Sequence, residues 1–421
     1  MTGRISVALA AGMIAAVLVT GTPVLWAAEP AAGTIITNAN WRQYQDYMTV
    51  TLQELMSGSH LWKMPPEGQI VVGPTVSVEL PKKYLEDTEK YRNQVKLRRL
   101  PSGGYAVDGY VAGLPFPKVE GPDAGEQVYY NYYYRYAPRM TYQVGPYRLV
   151  DRFMHVSTQT TETMNFRFMH VSDPGHPTTL PGAGDIFYSD NNVVIEPEQS
   201  KYVNDLQIFY DDVTRMPETF VFLPSLRRSL RLSASARCAP LVGSDYLADD
   251  GVLAPPIWFE SKLVATRKVL ALMHMVDTYE NTTNYYLPLF FPKPAVGKWE
   301  LRDVYVIELR RVSEFATGYC YSKIRFYVDR ETFNIVGAED YDTSGNLWKM
   351  FVWAYHPAPI PGTNDVTVGT TTGIMTDALD IQSGHATEGY SKDATVNENV
   401  PARYQDAVRW GTPAGMLQVM Q

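Results

Sequence analysis

The sequence predicts an α+β protein, mostly β, in which a large antiparallel sheet is flanked by helices near both ends. Three observations carry this. Residues 299–352 read as long alternating segments joined by short turns, the pattern of antiparallel strands. Nowhere does the chain alternate strand and helix as a parallel βαβ fold requires. Helical spacing is confined to residues 35–60, residues 81–93 and the tail beyond Pro401.

The amino terminus comes first. A single cation, Arg4, precedes an apolar run from Ile5 to Val24, and Ala27-Ala28 offers a small-residue exit. These are the three parts of an export signal. At roughly 20 residues the run also reaches the length of a membrane anchor, so an uncleaved tether is the competing reading. No cysteine lies near the exit, which excludes a lipidated amino terminus. The expected division is a signal peptide at residues 1–28 and one large unit at 29–421. Within that unit, 29–120 is helical and extended, 121–356 is antiparallel sheet, and 357–421 is loop and short helices.

In residues 35–60, Trp41, Tyr44, Met48, Leu52, Leu55 and Met56 recur at helical spacing; Asn38 or Asn40 can cap the start and Gly58 marks the end. A second helix at 81–93 is opened by Pro81. Val128–Tyr136 holds six tyrosines and is expected as a strand, since aromatics suit a pleated surface. Phe153–Ser157 and Phe168–Ser172 both read Phe-Met-His-Val-Ser, expected as the two strands of a hairpin. Residues 205–233 predict three strands with a Pro224-Ser225 turn. In the last of them Leu226, Leu230 and Leu232 share a face expected to be buried, with Arg228 as the exception. In the meander, Leu301, Tyr305, Ile307 and Leu309 share one side, and Ile324, Phe326 and Val328 alternate in the next strand.

The net charge of −8 argues against nucleic acid, which needs concentrated Lys and Arg. The two cysteines, Cys238 and Cys320, are expected to pair outside the cytoplasm, with buried free thiols as the alternative. A link closing a loop of this size is worth roughly 4–5 kcal/mol in the chain-entropy picture. No Gly-x-Ser-x-Gly elbow and no phosphate-cradling glycine loop occurs. Adjacent acids such as Asp211-Asp212 and Asp249-Asp250 point to opposite faces of a strand and make poor catalytic dyads. His155, His170 and His176 match no metal-ligand spacing; side by side on two strands, His155 and His170 would leave a metal hydrolase as the least favoured reading. No catalytic residue, metal or cofactor is assigned. Arg227, Arg228 and Arg231, with Arg237, form a basic cluster that suits an anionic headgroup or a partner protein, against a solvated strand face. The chain holds 29 tyrosines, 15 phenylalanines and 8 tryptophans, enough either for an apolar ligand groove or for an ordinary core.

Several stretches resemble the bacterial family called domain of unknown function 1329. They are Trp41-Arg-Gln-Tyr-Gln-Asp-Tyr-Met48, Gly109-Tyr-Val-Ala-Gly-Leu-Pro-Phe-Pro117, Phe222-Leu-Pro-Ser-Leu-Arg-Arg-Ser-Leu-Arg-Leu-Ser233, Gly243-Ser-Asp-Tyr246, Trp299-Glu-Leu-Arg-Asp-Val-Tyr-Val-Ile307 and Tyr327-Val-Asp-Arg-Glu-Thr-Phe333 with Leu347-Trp-Lys349. The resemblance implies an exported protein related to the outer-membrane lipoprotein-sorting carriers and receptors, whose curved, open half-barrel sheets hold acyl chains. It implies periplasmic binding or transport of a lipid or other hydrophobic molecule, with a proton-driven exporter and an outer-membrane barrel as partners. Candidate ligand-lining residues, chosen by parity, are Phe220, Phe222, Leu226, Leu230, Trp258, Phe326 and Trp348. The alternative is a non-carrier interaction protein of an envelope complex.

Overall fold

The computed structural model describes residues 28–232, 238, 240, 243–247, 254–276, 284–287, 289, 291–356, 358–359, 366–367 and 374–420. The apolar run of the expected signal, Arg237 and most of residues 357–373 lie outside them.

The first helical segment is two pieces. A 3-10 helix spans Trp41–Tyr47, and helix α1 spans Val50–Ser57. Thr49 separates them because its hydroxyl caps α1, accepting from the Leu52 amide at 3.1 Å. Asn40 caps nothing; its side chain accepts from the Thr37 amide at 2.8 Å. Gly58, at φ 71°, ends α1 as expected. Helix α2 spans Lys82–Tyr91, directly after Pro81.

The tyrosine run is a helix, not a strand. Helix α3 spans Ala124–Tyr133. Tyr129, Tyr130, Tyr132 and Tyr133 are all buried, so every side of the helix meets protein. That all-round apolarity is the mark of an interior helix, and it hides the 3.6-residue period. Polar atoms find partners inside: Tyr130 donates to Tyr105 O at 2.6 Å, and Asn131 clasps the Phe116 backbone at 2.7 and 2.9 Å.

Among the described residues the main sheet has fourteen strands. They are β1 (Met140–Val150), β2 (Val156–Arg167), β3 (Ile186–Glu196), β4 (Asn204–Tyr210), β5 (Glu218–Leu223), β6 (Arg228–Arg231) and β7 (Phe259–Ala271). The meander adds β8 (Glu300–Arg311), β9 (Tyr321–Asp329), β10 (Ile335–Asp342) and β11 (Leu347–Tyr355). Then come β12 (Ile374–Asp380), β13 (His385–Tyr390) and β14 (Lys392–Val396). The spatial order is β6-β5-β4-β3-β2-β1-β13-β12-β11-β10-β9-β8-β7, with β14 also on β1. Residues 374–396 were expected as loop. Instead they join the two halves of the sheet, because β1 lacks a partner on one side until they arrive. The join uses Gly145-Pro146. Beside this pair β13 ends and β14 begins, and a Cβ on Gly145 would stand 1.5 Å from Tyr390 O. A proline is tolerated in an inner strand where the ladder is already interrupted.

The sheet is open and curls around α3. Tyr129 meets Phe259 on edge strand β7 at 5.9 Å between ring centroids, and Tyr133 meets Phe187 on β3 at 5.5 Å. In sheet order these strands are nine spacings apart, about 43 Å if flat. Through one turn of helix the two phenylalanines lie within roughly 20 Å. The face toward α3 is continuous: Phe326, Ala338, Phe351, Ala378, Thr387 and Leu149 stand in one cross-strand row. The opposite face is covered by α1 over β10 and β11, and by residues 397–416 over β1–β5. There Tyr404, Trp410 and Met416 pack on Met164, Phe166, Leu206 and Phe222.

The hairpin expectation for the Phe-Met-His-Val-Ser echo fails. Its copies flank the two ends of one strand, β2. The leucine face of β6 fails too: Leu226, Leu230 and Leu232 are 55%, 37% and 43% exposed. At the edge of the sheet, this face receives no helix among the described residues. Cys238 and Cys320 form the expected disulfide.

Gly125 decides how α3 docks. A Cβ there would lie 2.3 Å from Ser261 O and 2.5 Å from the Leu263 amide nitrogen on β7. Helix propensity alone favours Gly125→Ala by about 1 kcal/mol. The clash with backbone costs about 1–3 kcal/mol or more. Gly125→Ala is therefore expected to lower the urea midpoint in equilibrium unfolding; an unchanged or raised midpoint would contradict this docking.

Candidate functional site

Strands β1–β4 turn polar side chains toward α3's side of the sheet. In β2 these are Gln159, Thr161, Thr163 and Asn165; in β3, Asp190 and Asn192; in β4, Asp205 and Gln207. Residues of the opposite parity, such as Met164, Phe166, Val193, Leu206 and Ile208, enter the core. The strands therefore alternate as expected of a half-wet sheet, but the polar side is largely enclosed.

It encloses a cavity of about 170 Å³. Tyr147 and Leu149 of β1, Gln159 and Thr161 of β2, Asn192 and Val194 of β3, and Asp205 and Gln207 of β4 line it. Val203, Ser244 and Tyr246 complete the lining. The roof, residues 243–247, is stapled to the sheet by buried Asp245. Its amide donates to Thr387 Oγ1 at 2.7 Å, and its Oδ2 lies 2.7 Å from both Thr387 Oγ1 and His385 Nδ1. Lys349 Nζ donates to the Asp245 carbonyl. The motif Gly243-Ser-Asp-Tyr246 is thus the part of the chain that closes the cavity.

Beneath the roof, Asn192 ties two carboxylates together. Its amide nitrogen donates to Asp190 and, at 3.3 Å, to Asp205; its carbonyl accepts from Thr163 at 2.6 Å. Asn165 donates to Asp190 at 2.8 Å. Burial raises Asp190 to about 7, with the Asp205 charge adding to it, and burial raises Asp205 to about 6. Neither carboxylate has an ion pair among the described residues. Sequence reasoning missed this site. Only the parity match of polar residues across β2, β3 and β4 signals it, and that match needs the register.

The parity-chosen candidates do not converge. Phe222, Trp258 and Phe326 are fully packed core residues, the first beneath residues 397–416 and the other two beneath α3. Phe220 is half-buried on the side of Phe222. Trp348 is half-buried and donates to Asp380 at 2.9 Å. Leu226 and Leu230 are exposed at the β6 edge. Arg227, Arg228 and Arg231 are exposed there as well; Arg231 pairs with Glu218 at 3.1 Å.

The histidines do not meet. His155 and His170 lie beyond opposite ends of β2, about 36 Å of strand apart. His155 faces solvent against Asp151, at 2.9 Å. His170 is clamped between Val111 O at 2.7 Å and Asp211 at 2.6 Å. This separation removes the arrangement that the hydrolase reading required. Among the described residues no helix is long and apolar enough to cross a membrane.

Residues 35–409 match the family described as Protein of unknown function (DUF1329). The chain belongs to that family. No curated protein matches the sequence. Among solved structures, a DUF1329 family protein from Desulfovibrio piger is similar at 16% identity and a TM-score of 0.47, covering 69% of this chain and 100% of that one. A LolA superfamily protein from Nitrosomonas europaea is similar at 15% identity and a TM-score of 0.36, covering 65% and 94%.

Four acids, two buried and two half-buried, give this DUF1329 protein a pH signature. Burial raises Glu126 to about 8 and Glu339 to about 7, alongside Asp190 and Asp205. Unfolded, they titrate near 3.8 or 4.5. Between those values and about 8 the folded state holds more protons than the unfolded one. Stability from these groups is full below pH 4 and is lost as pH rises through 6 to 8. The melting temperature is expected to rise from pH 8 to pH 5, with a shallower slope in Asp190→Asn. A melting temperature that falls over that interval would contradict the assignment.

Proposed function

We propose that the protein binds a lipid or other hydrophobic molecule non-covalently and carries it through the periplasm, working with a proton-driven exporter and an outer-membrane barrel. The observation that carries this reading is a gradient along one face of the sheet. Asn192, Asp205, Val221 and Leu230 stand in one cross-strand row, from the cavity to the edge. The cavity is polar at its floor and apolar at Leu149, Val194 and Val203. Two strands away, about 10 Å, Leu230 is exposed, with Leu226 and Leu232 beside it. A polar pocket leading to uncovered leucines matches an amphipathic molecule, head in the cavity and chain along the edge. Each methylene covered there contributes about 0.8 kcal/mol. Export rests on the apolar run at residues 5–24 and its small-residue exit.

A second reading, docking on an envelope partner, is favoured by Arg227 and Arg228. They are exposed beside those leucines and make no ion pair among the described residues. The same edge would then meet an acidic protein surface.

Delipidated protein is expected to bind a fluorescent fatty acid saturably. The double substitution Leu230→Ser, Leu232→Ser should weaken binding about tenfold, since partial loss of two leucine contacts costs near 1.4 kcal/mol. Failure of the unaltered protein to bind the probe would sink carriage and leave docking.

A further inference from the structure

We propose that the cavity roofed by Gly243-Ser-Asp-Tyr246 recognises an organic ammonium group. This goes beyond carriage of a hydrophobic molecule and does not depend on it. Four features of the cavity converge on a cation bearing carbon.

The first is charge. Asp205 opens on the cavity, and Asp190 stands behind it across the shared Asn192 amide. Among the described residues no lysine or arginine lines the space. An anion would meet these carboxylates with nothing to offset them, whereas a cation supplies the missing counter-charge. The second is an unused polar group. Gln207 lines the cavity, is only 7% exposed, and its side-chain amide makes no hydrogen bond among the described residues. Its amide is reachable from the cavity, so its carbonyl oxygen is free to accept from a ligand there. Gln159 offers a second amide two strands away, on β2.

The third feature is aromatic. Tyr147 on the sheet and Tyr246 on the roof both border the space. Tyrosine rings beside carboxylates are the surroundings that attract methylated ammonium groups. The fourth is size. At about 170 Å³ the cavity resembles the engineered space of about 150 Å³ that takes one benzene. It admits a quaternary or primary ammonium with a short linker, and not a whole lipid. The ammonium group belongs either to a free small amine or to the head of a lipid whose chain leaves toward Val221 and Leu230.

The test is calorimetric titration of the delipidated full chain with choline and with dimethylbutanol, its uncharged isostere. Dodecyltrimethylammonium and dodecyl maltoside are titrated in parallel. Choline is expected to bind at least tenfold more tightly than dimethylbutanol, and Asp205→Asn to remove that preference. Gln207→Leu should weaken choline binding several-fold. If only dodecyltrimethylammonium binds, more tightly than dodecyl maltoside and with loss in Asp205→Asn, the source is a lipid head. If choline saturates the site by itself, the source is a small amine. Should Asp205→Asn fail to fold, Tyr246→Leu on the roof gives the same readout without altering the sheet. Equal binding of choline and dimethylbutanol, together with equal binding of the two dodecyl compounds, overturns the proposal. Choline binding without fatty-acid binding would remove carriage and keep this site; the reverse result would remove this site alone.

Discussion

The docking of α3 inside the sheet is the constraint on which the rest depends. The helix lies against β7 closely enough that Gly125 can carry no side chain. Glu126 accepts from the Ser261 amide at 2.7 Å, and Ser261 returns a hydrogen bond to Gly125 O at 2.9 Å. From that anchor the tyrosines reach strands that are distant in sheet order. An antiparallel sheet of this size twists but has no reason of its own to curl about one helix. Burying four large rings supplies the reason: Tyr129 and Tyr132 pack on β7 and β9, and Tyr130 and Tyr133 on the Phe187 side, so one helix draws both halves of the sheet out of water.

Curling has a consequence for the stretches of β2–β4 that α3 does not cover. Their face toward the interior is enclosed without being filled by helix. The roof at residues 243–247 covers part of it, and the polar residues of β2–β4 remain around a cavity. Buried polar groups are costly unless paired. Several buried acids justify their place by holding backbone. Glu126 fixes β7 to α3, and Glu339 accepts from the Thr51 amide and hydroxyl at 3.0 and 3.1 Å, fixing α1 to β10. Asp190 and Asp205 hold no other element in this way. Their partners are the amides of Asn165 and Asn192 and, for Asp190, the Tyr188 hydroxyl.

Legibility in the sequence followed the surroundings of each segment. The meander β8–β11 was readable because each strand has neighbours on both sides and a consistent buried parity at Ile307, Leu309, Ile324 and Phe326. β6 was not, because the same alternation at an edge marks exposed leucines. Tyrosine is enriched in strands, so the run at 128–136 reads as a strand until its all-round burial is known. Residues 374–396 look like loop because Thr376, Asp377, Thr387 and Glu388 are polar. Their ladder is set by long-range pairing with β1 and β11.

The sequence by itself determined the class of fold, the antiparallel pairing of the meander, the disulfide partners and the family. These follow from local alternation, from there being only two cysteines, and from motifs spread along the chain. Tertiary structure alone decided that the tyrosine run is the helix inside the sheet and that β12–β14 join its halves. It also decided that the polar faces of three strands enclose a cavity under Gly243-Ser-Asp-Tyr246. Each of these depends on which distant residue lies opposite, and periodicity along one strand says only which side a residue takes.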